Sequence, residues 1–417
     1  MKIGILTLWL GVDNYGQQLQ IYALQKYLRN NGHDAYLIRY AYQTDILYTS
    51  EKNKLSKKVL RLLKIFNPIK LKTYIANKIL LSKVSRINKE NSRGFEEFRK
   101  KYVHVSEEYY KTYDEIKINP PEADAYIVGS DQVWNPACLN SNLEVGRNLM
   151  NTFFFNFGKK DMLRIGYAAS WGITELPDDW KQAISPLIVK FNFIGVREKS
   201  GIKVCEDCGY KATEFHGPAQ WVCDPTLLLT AEQWRCWYKQ EYEENNSEEK
   251  NKYDKNTDKP YILFYYLNNG SNFNIKALYD FAKERNLEVK YVSGNSNIDK
   301  YKKIYPTNDE WLKLIDEAEY VVTDSFHGSV FSILFNKQFA TMELKGKNCG
   351  MNERLNSLFE LSHISPRFIK DCDTNPDFSI LDCTYNAEIN NGGGEILLKV
   401  LNNFYYRKMS DFSMNIG

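Results

Sequence analysis

An α/β protein of two Rossmann-like domains facing a cleft is what the sequence predicts, and three observations carry that reading. The chain has 417 residues, too many for one ordinary core. Short apolar runs alternate with segments of helical periodicity in both halves, which indicates parallel sheets covered on both faces. Between the halves, KQEYEENNSEEKNKYDKNTDK has no apolar residue beyond its two tyrosines, so it cannot pack and reads as a solvated linker. The expected organisation is an N-terminal domain over 1–238, a linker over 239–259 and a C-terminal domain over 260–417.

Each element follows from local pattern. IGILTL is a first buried strand and DNYGQQ a polar turn. In LQIYALQKYLRNNG, Ile21, Leu24 and Leu28 share one helical face, and Asn31-Gly32 ends the helix. AYLIRY returns as a strand, followed by DAYIVG (124–129), RIGYAAS (164–170) and FNFIGV (191–196). After the linker come the strand PYILFYYL, the helix FNIKALYDFAKERN and the strand LEVKYVS. Thr307 with Glu310 three residues on is a capping-box pattern that opens the next helix. EYVVT is then a strand, a helix runs from about Gly328, and QFATM is the last strand. A final helix over about 392–406 is expected to pack back on the N-terminal domain.

Composition narrows the class. With 43% apolar and 26% charged residues the chain reads as a soluble globular protein. No apolar run approaches the roughly 20 residues of a membrane span. MKIGILTLWL leads into GVDNYGQQ with no small-residue cleavage pattern, so it is read as a strand and the protein as cytoplasmic. Eight scattered cysteines are too few for a disulfide framework. Cys205 and Cys208 lack the second pair that a zinc ribbon needs, and no His/Asp/Glu cluster has ligand spacing, so no metal is expected.

Charge is uneven. From Lys52 to Lys101 there are sixteen Lys and Arg against three Glu, a local charge of +13 in a chain whose net charge is +3. This 52–101 segment mixes apolar and cationic residues at helical spacing. It is either a helical insertion with a solvated basic face or a surface for anionic lipid or a lipid-linked diphosphate at the inner face of a membrane. Nucleic acid is not an expected partner, because no recognised motif accompanies the charge.

In an open α/β sheet, ligands bind beyond the carboxyl ends of the strands. The polar turns there are Asn14-Tyr15-Gly16, Ser130-Asp131-Gln132, Ser170-Trp171, Arg197-Glu198 and Asp324-Ser325-Phe326-His327-Gly328-Ser329, and they should converge on one cleft. Gly328, Ser329 and Val330 would offer first-turn N–H groups to an anion. Gly328 would admit a ligand close to the backbone. His327 would donate to a phosphate or protonate a substrate, or would merely cap the helix and pack. Arg197 would grip a carboxylate or phosphate, or pair with Glu198. Asp131 is a base for a hydroxyl or an Asx turn. Asn14 shapes its turn or meets ligand; Gln18 and Gln20 meet ligand or face solvent.

These residues lie in NYGQQLQIYAL, VGSDQVWNP, YAASWG, GVREKSG and TDSFHGSVFSILF, and CDPTLLL stands between the last two. In order and spacing the chain resembles the polysaccharide pyruvyl transferase family over most of its length. The resemblance implies a fold similar to the two-domain, GT-B-like glycosyltransferases. It implies phosphoenolpyruvate as donor, a saccharide acceptor, phosphate as product, and no cofactor. It makes His327 the catalytic acid and Arg197 a donor ligand, with Ser325, Phe326, Gly328, Ser329 and either Lys345 or Lys347 beside them. Asp131 would be the base. Asn14, Tyr15, Gly16, Gln18, Ser130, Gln132, Ser170 and Trp171 would form the acceptor side.

Two departures stand out. Gln17 follows Gly16 where some members carry an acid, and Ser325 stands where some carry arginine. The donor pocket is therefore expected to hold one cation fewer, or to be compensated from elsewhere. A nucleotide-sugar glycosyltransferase and a non-catalytic binding protein are the alternatives. Against the former, Glu343, Glu353, Glu360, Glu388 and Glu395 include no pair eight positions apart.

Overall fold

The computed structural model describes residues 1–42, 93–214, 216–246, 259–267, 272–295, 297, 299–389 and 391–414. In the first half, β1 (Lys2–Leu6), β2 (Asp34–Tyr40), β3 (Val105–Tyr110), β4 (Ala125–Gly129), β5 (Leu163–Ala169), β6 (Phe193–Val196) and β7 (Gln220–Trp221) form a parallel sheet. Its order is β3-β2-β1-β4-β5-β6-β7. The second half holds β8 (Tyr261–Tyr266), β9 (Glu288–Ser293), β10 (Tyr320–Thr323) and β11 (Gln338–Thr341), also parallel, in the order β11-β10-β8-β9. This is the two-sheet α/β architecture that the alternation predicts. Strands β4, β5 and β8 are buried at every position, which is why they read as apolar runs, interrupted only by Arg164 in β5. Edge strand β3, VSEEYY, is largely exposed and charged, so it carried no apolar signal.

Helices that bear on the site are α1 (Tyr15–Asn30), α2 (Phe95–Tyr102), α3 (Ala231–Asn246), α4 (Asn308–Glu317), α5 (Phe326–Leu334), α6 (Glu353–Leu361) and α7 (Gly393–Met414). Glu310 opens α4 by accepting the backbone N–H of Thr307 at 2.8 Å, as the capping pattern predicts. Gly393 and Gly394, at the start of α7, lie against Val222, Tyr167 and Tyr27, so closely that a methyl group at either would sit within 3 Å of a neighbour.

The expected linker needs correction. Residues 239–246 are the last part of α3, and only 247–258 fall outside the described residues. Helix α3 is held from both sides. Arg235 makes two hydrogen bonds to Asp316 on α4, at 2.9 and 2.8 Å, and the Tyr238 hydroxyl donates to the same carboxylate at 2.7 Å. Glu241, buried, pairs with Lys101 of α2 at 2.9 Å. The charges that suggested solvation are thus partly spent on ion pairs. Most of the basic segment, 52–92, lies outside the described residues; its end supplies Arg93 and α2.

One apolar core runs through both halves. Tyr15 and Leu24 of α1, Trp234 of α3, Tyr265 of β8, Trp311 of α4 and Phe331 of α5 belong to it. Tyr15 stacks on Trp311 with ring centres 5.0 Å apart, and its hydroxyl donates to Pro306 O at 2.7 Å. Arg93 crosses the same boundary, donating to the Tyr15 hydroxyl, Ser293 O and Asn295 Oδ1 at 3.0, 2.7 and 2.8 Å. A cleft remains where the carboxyl ends of the two sheets approach each other beside this core.

Candidate active site

The centre of the cleft is a buried carboxylate. Asp224 precedes Pro225 at the first position of a tight turn, Pro225–Leu228. Its Oδ1 accepts from Thr226 N and Thr226 Oγ1 at 3.0 and 2.7 Å. Its Oδ2 accepts from Ser130 Oγ at 2.6 Å and from Arg197 Nη1 at 3.2 Å. His327 Nε2 stands 3.5 Å from the same oxygen, beyond the range of a well-made hydrogen bond. Burial alone would raise the Asp224 carboxyl. The charges of His327 and Arg197, with the Ser130 hydrogen bond, more than reverse this and hold it well below the carboxylate range.

Strand ends explain the convergence. Ser130 follows β4, Arg197 follows β6, and Ser325 follows β10 by two residues. Arg197 pairs with Asp224 rather than with its neighbour Glu198, which is occupied by Ser170 Oγ. The guanidinium also lies 4.4 Å from the centre of the Phe326 ring, and its Nε and Nη2 are buried without a hydrogen bond, Nη2 standing 4.0 Å from Asp131 Oδ1.

His327 reaches Asp224 because Gly16 lets it. A methyl group at position 16 would sit 2.0 Å from both Cγ and Nδ1 of the imidazole. The glycine at the start of α1 thus serves a side chain from the other half of the molecule. Gly16→Ala is expected to expel the ring and lower turnover by at least about 100-fold, the scale of an ångström-sized misplacement. Steady-state kinetics beside a circular-dichroism check of folding would measure it; turnover within threefold of wild type would contradict the contact.

Around this centre is a pocket of about 310 Å³ whose lining includes Asn14, Gln17, Asp131, Gln132, His327 and Arg354. Asp131 occupies the left-handed backbone region at φ 63°, uncommon for a non-glycine residue. Its Oδ1 accepts from Gln132 N at 2.9 Å and its Oδ2 from Gln17 Nε2 at 3.3 Å. Gln17 also accepts from Gly11 N at 2.6 Å through its other amide atom. An acid at position 17 would face Asp131 with like charge, whereas the amide can donate to it. Cys138 lines the same pocket, but burial and the Asp131 charge push its thiol up to about 12, so it is no nucleophile at neutral pH.

Several expected site residues are placed elsewhere. Tyr15 is fully buried against Trp311, and Gln18 is buried with Oε1 accepting from Arg99 at 3.0 Å. Gln20 is buried too, donating to Thr7 Oγ1 at 3.2 Å. Trp171 is in the core beside Trp134, ring centres 5.1 Å apart, and Ser170 is buried on Glu198. Lys345 is exposed and 3.4 Å from Asp373; the Lys347 side chain lies outside the described residues.

Helix α5 begins at Phe326, not Gly328. Ser325 caps it, its hydroxyl accepting from Gly328 N at 3.2 Å and its carbonyl from Ser329 N at 3.1 Å. The first-turn N–H groups left for an anion are therefore those of Phe326 and His327. Gly328 is small for the sake of the fold, since a methyl there would meet Thr323 Oγ1 at 2.7 Å. Two residues were missed outright, Asp224 and Arg354. Asp224 had a signal, an Asp-Pro-Thr capping sequence inside CDPTLLL; Arg354 had none. Among the described residues no group of three or more His, Cys, Asp or Glu is arranged to hold a metal, and no helix is long and apolar enough to cross a membrane.

The matches among solved structures are distant. UDP-GlcNAc 2-epimerase from Methanocaldococcus jannaschii, in complex with UDP-GlcNAc and UDP, aligns at 12% identity and TM-score 0.49, covering 97% of this chain and 100% of that one. UDP-GlcNAc 2-epimerase from Neisseria meningitidis aligns at 10% identity and TM-score 0.45, covering 97% and 100%. ADP-heptose lps heptosyltransferase II from E. coli aligns at 11% and 0.30, covering 98% and 100%. No curated protein sequence matches. A sequence model of the polysaccharide pyruvyl transferases, however, matches residues 14–345. That span begins at Asn14, the cap of α1, and takes in Asp131, Arg197, Asp224 and His327. The chain belongs to the polysaccharide pyruvyl transferase family.

Proposed function

We propose that this member of the family transfers the pyruvyl group of phosphoenolpyruvate onto two hydroxyls of one sugar in a polysaccharide precursor. The observation that carries the reading is the Arg197–Asp224–His327 arrangement, in which an imidazole lining a polar pocket stands beside a buried guanidinium whose Nε and Nη2 make no hydrogen bond. Phosphoenolpyruvate joins a carboxylate and a phosphate on three carbons, and such a donor needs cations and N–H groups at short range. Arg197 and the first turn of α5 supply them.

In the first step His327 gives a proton to the methylene carbon while a sugar hydroxyl bonds to the adjacent carbon. That hydroxyl's proton passes to Asp131. The carbon–oxygen bond to phosphate then breaks, and the second hydroxyl adds to the same carbon as its proton passes to the departing phosphate. The products are a cyclic ketal and inorganic phosphate. Asp224 touches no reacting atom in this scheme; it fixes the imidazole and the guanidinium relative to each other.

The basic segment 52–101 favours an acceptor carried on a lipid diphosphate at the inner face of a membrane. Calorimetric titration tests the donor assignment. Phosphoenolpyruvate should bind saturably while a uridine-diphosphate sugar does not, and turnover should release free phosphate. Binding of the nucleotide sugar alone, with release of nucleoside diphosphate, would move the protein to the glycosyltransferases.

A further inference from the structure

Among the described residues, most buried guanidinium groups are held by several acceptors. Arg164 donates to the carbonyls of Phe155, Phe157, Lys159 and Met162. Arg367 donates to Phe339 O, Cys383 O and Ile380 O, and Arg93 to three acceptors across the half boundary. Arg354, 9% exposed and so less buried than these, makes, among the described residues, one hydrogen bond, from Nε to Met351 O at 3.2 Å, and no ion pair. Four of its five N–H donors remain. Burial and the like charge of Arg197 push its pKa down to about 10, so the fold holds a cation where a cation is costly.

Its position says what the charge is for. Arg354 is the second residue of α6 and lines the pocket that His327, Asp131 and Asn14 line. Its guanidinium lies 5.9 Å from the centre of the Phe326 ring, the same ring that Arg197 approaches at 4.4 Å. The hydroxyl of Ser325, expected from the sequence to face a ligand, is spent on the cap of α5. Arg354 thus lines the pocket itself without an ion pair of its own, while Arg197, buried on Asp224, stands behind the Phe326 ring that the two guanidiniums share.

We propose that Arg354 binds an anionic group of the donor, acting as the second cation beside Arg197. The assignment rests on the phosphoenolpyruvate reading above and gives it a specificity determinant. A donor with two anionic ends can meet Arg354 with one end and the first-turn N–H groups of α5 with the other, whereas a single-ended anion engages only one of them.

The test is titration of phosphoenolpyruvate, inorganic phosphate and pyruvate into wild type, Arg354→Gln and Arg354→Lys, with thermal melts of each protein alone. Arg354→Gln should weaken phosphoenolpyruvate by about 10- to 150-fold, the range for a hydrogen bond to a charged group, and Arg354→Lys by less. Whichever of phosphate and pyruvate weakens in parallel identifies the group that Arg354 holds. The melting temperature of Arg354→Gln alone should be unchanged or higher, because an unpaired buried charge has been removed. Phosphoenolpyruvate binding within threefold of wild type in Arg354→Gln, with the melting temperature lowered, would make the arginine structural and overturn the proposal. Undiminished binding with tighter pyruvate and phosphate would overturn it as well. A wild-type protein that binds none of the three overturns the donor reading itself, a different failure.

Discussion

Asp224→Ala is expected to lower the unfolding free energy by about 3–5 kcal/mol at neutral pH, the cost of removing one partner from a buried ion pair. The carboxylate takes hydrogen bonds from Thr226, Ser130 and Arg197 and has no exposed atom to share with water. Without it, the Arg197 guanidinium stays buried with only Asp131, 4.0 Å away, as counter-charge. Asp224→Asn should cost less, since its amide can still accept from Thr226 while losing the charge. The pH dependence separates the two effects. Because the folded-state pKa is depressed, the stabilisation is present above the ordinary aspartate value of about 3.9 and is lost as pH falls below it. Wild type should therefore lose stability between about pH 4 and pH 2 more steeply than Asp224→Asn. Urea unfolding midpoints at pH 7 and across that acid range measure both. Parallel curves for the two proteins would mean that the carboxylate is not the ionised hub described above.

His327→Ala is the second large effect. Turnover should fall by about 10²–10⁴, the usual span for a general acid. Phosphoenolpyruvate affinity should change less than tenfold, because Arg197, Arg354 and the α5 N–H groups remain. The ring packs against Gly16 and lies beside Asp224, so some stability will be lost with it. A rate measured at saturating donor, with folding checked by circular dichroism, separates chemistry from binding. Wild-type turnover in this variant would remove the histidine from the mechanism. A loss confined to affinity would make it a donor ligand.

How far the sequence carried depends on the kind of contact. Parallel strands buried on both faces announce themselves as apolar runs, and the residues after them are bound to share one edge of the sheet. That logic places Ser130, Asp131, Arg197 and His327 together, though they lie far apart in the chain. It cannot say which way a turn residue points. Ala168 adopts a left-handed backbone at φ 53° where the β5–β6 pairing shifts register, and just beyond it Trp171 lies in the core. The glycines were legible as glycines but not as to purpose: Gly16 makes room for an imidazole and Gly328 for a strand, and neither reads differently from a ligand contact. Asp224 was hidden by its resemblance to an ordinary cap, which it also is. Arg354 sits on a helix after the second sheet, and only the packing of α6 against the cleft reveals it.

The stacked Tyr15 and Trp311, with Arg93 bolted across them, bear on how the cleft operates. Jaw-like closure by swinging one half against the other would have to tear rings out of a shared interior and strand the Arg93 guanidinium. The cleft is therefore better regarded as a notch in one rigid body than as a gap between two moving ones. Water must then be displaced by the substrates themselves, and a long saccharide can lie across the notch without any gate having to open for it. Exchange of whole halves between relatives would fail for the same reason, unless Tyr15, Arg93 and Trp311 travelled together.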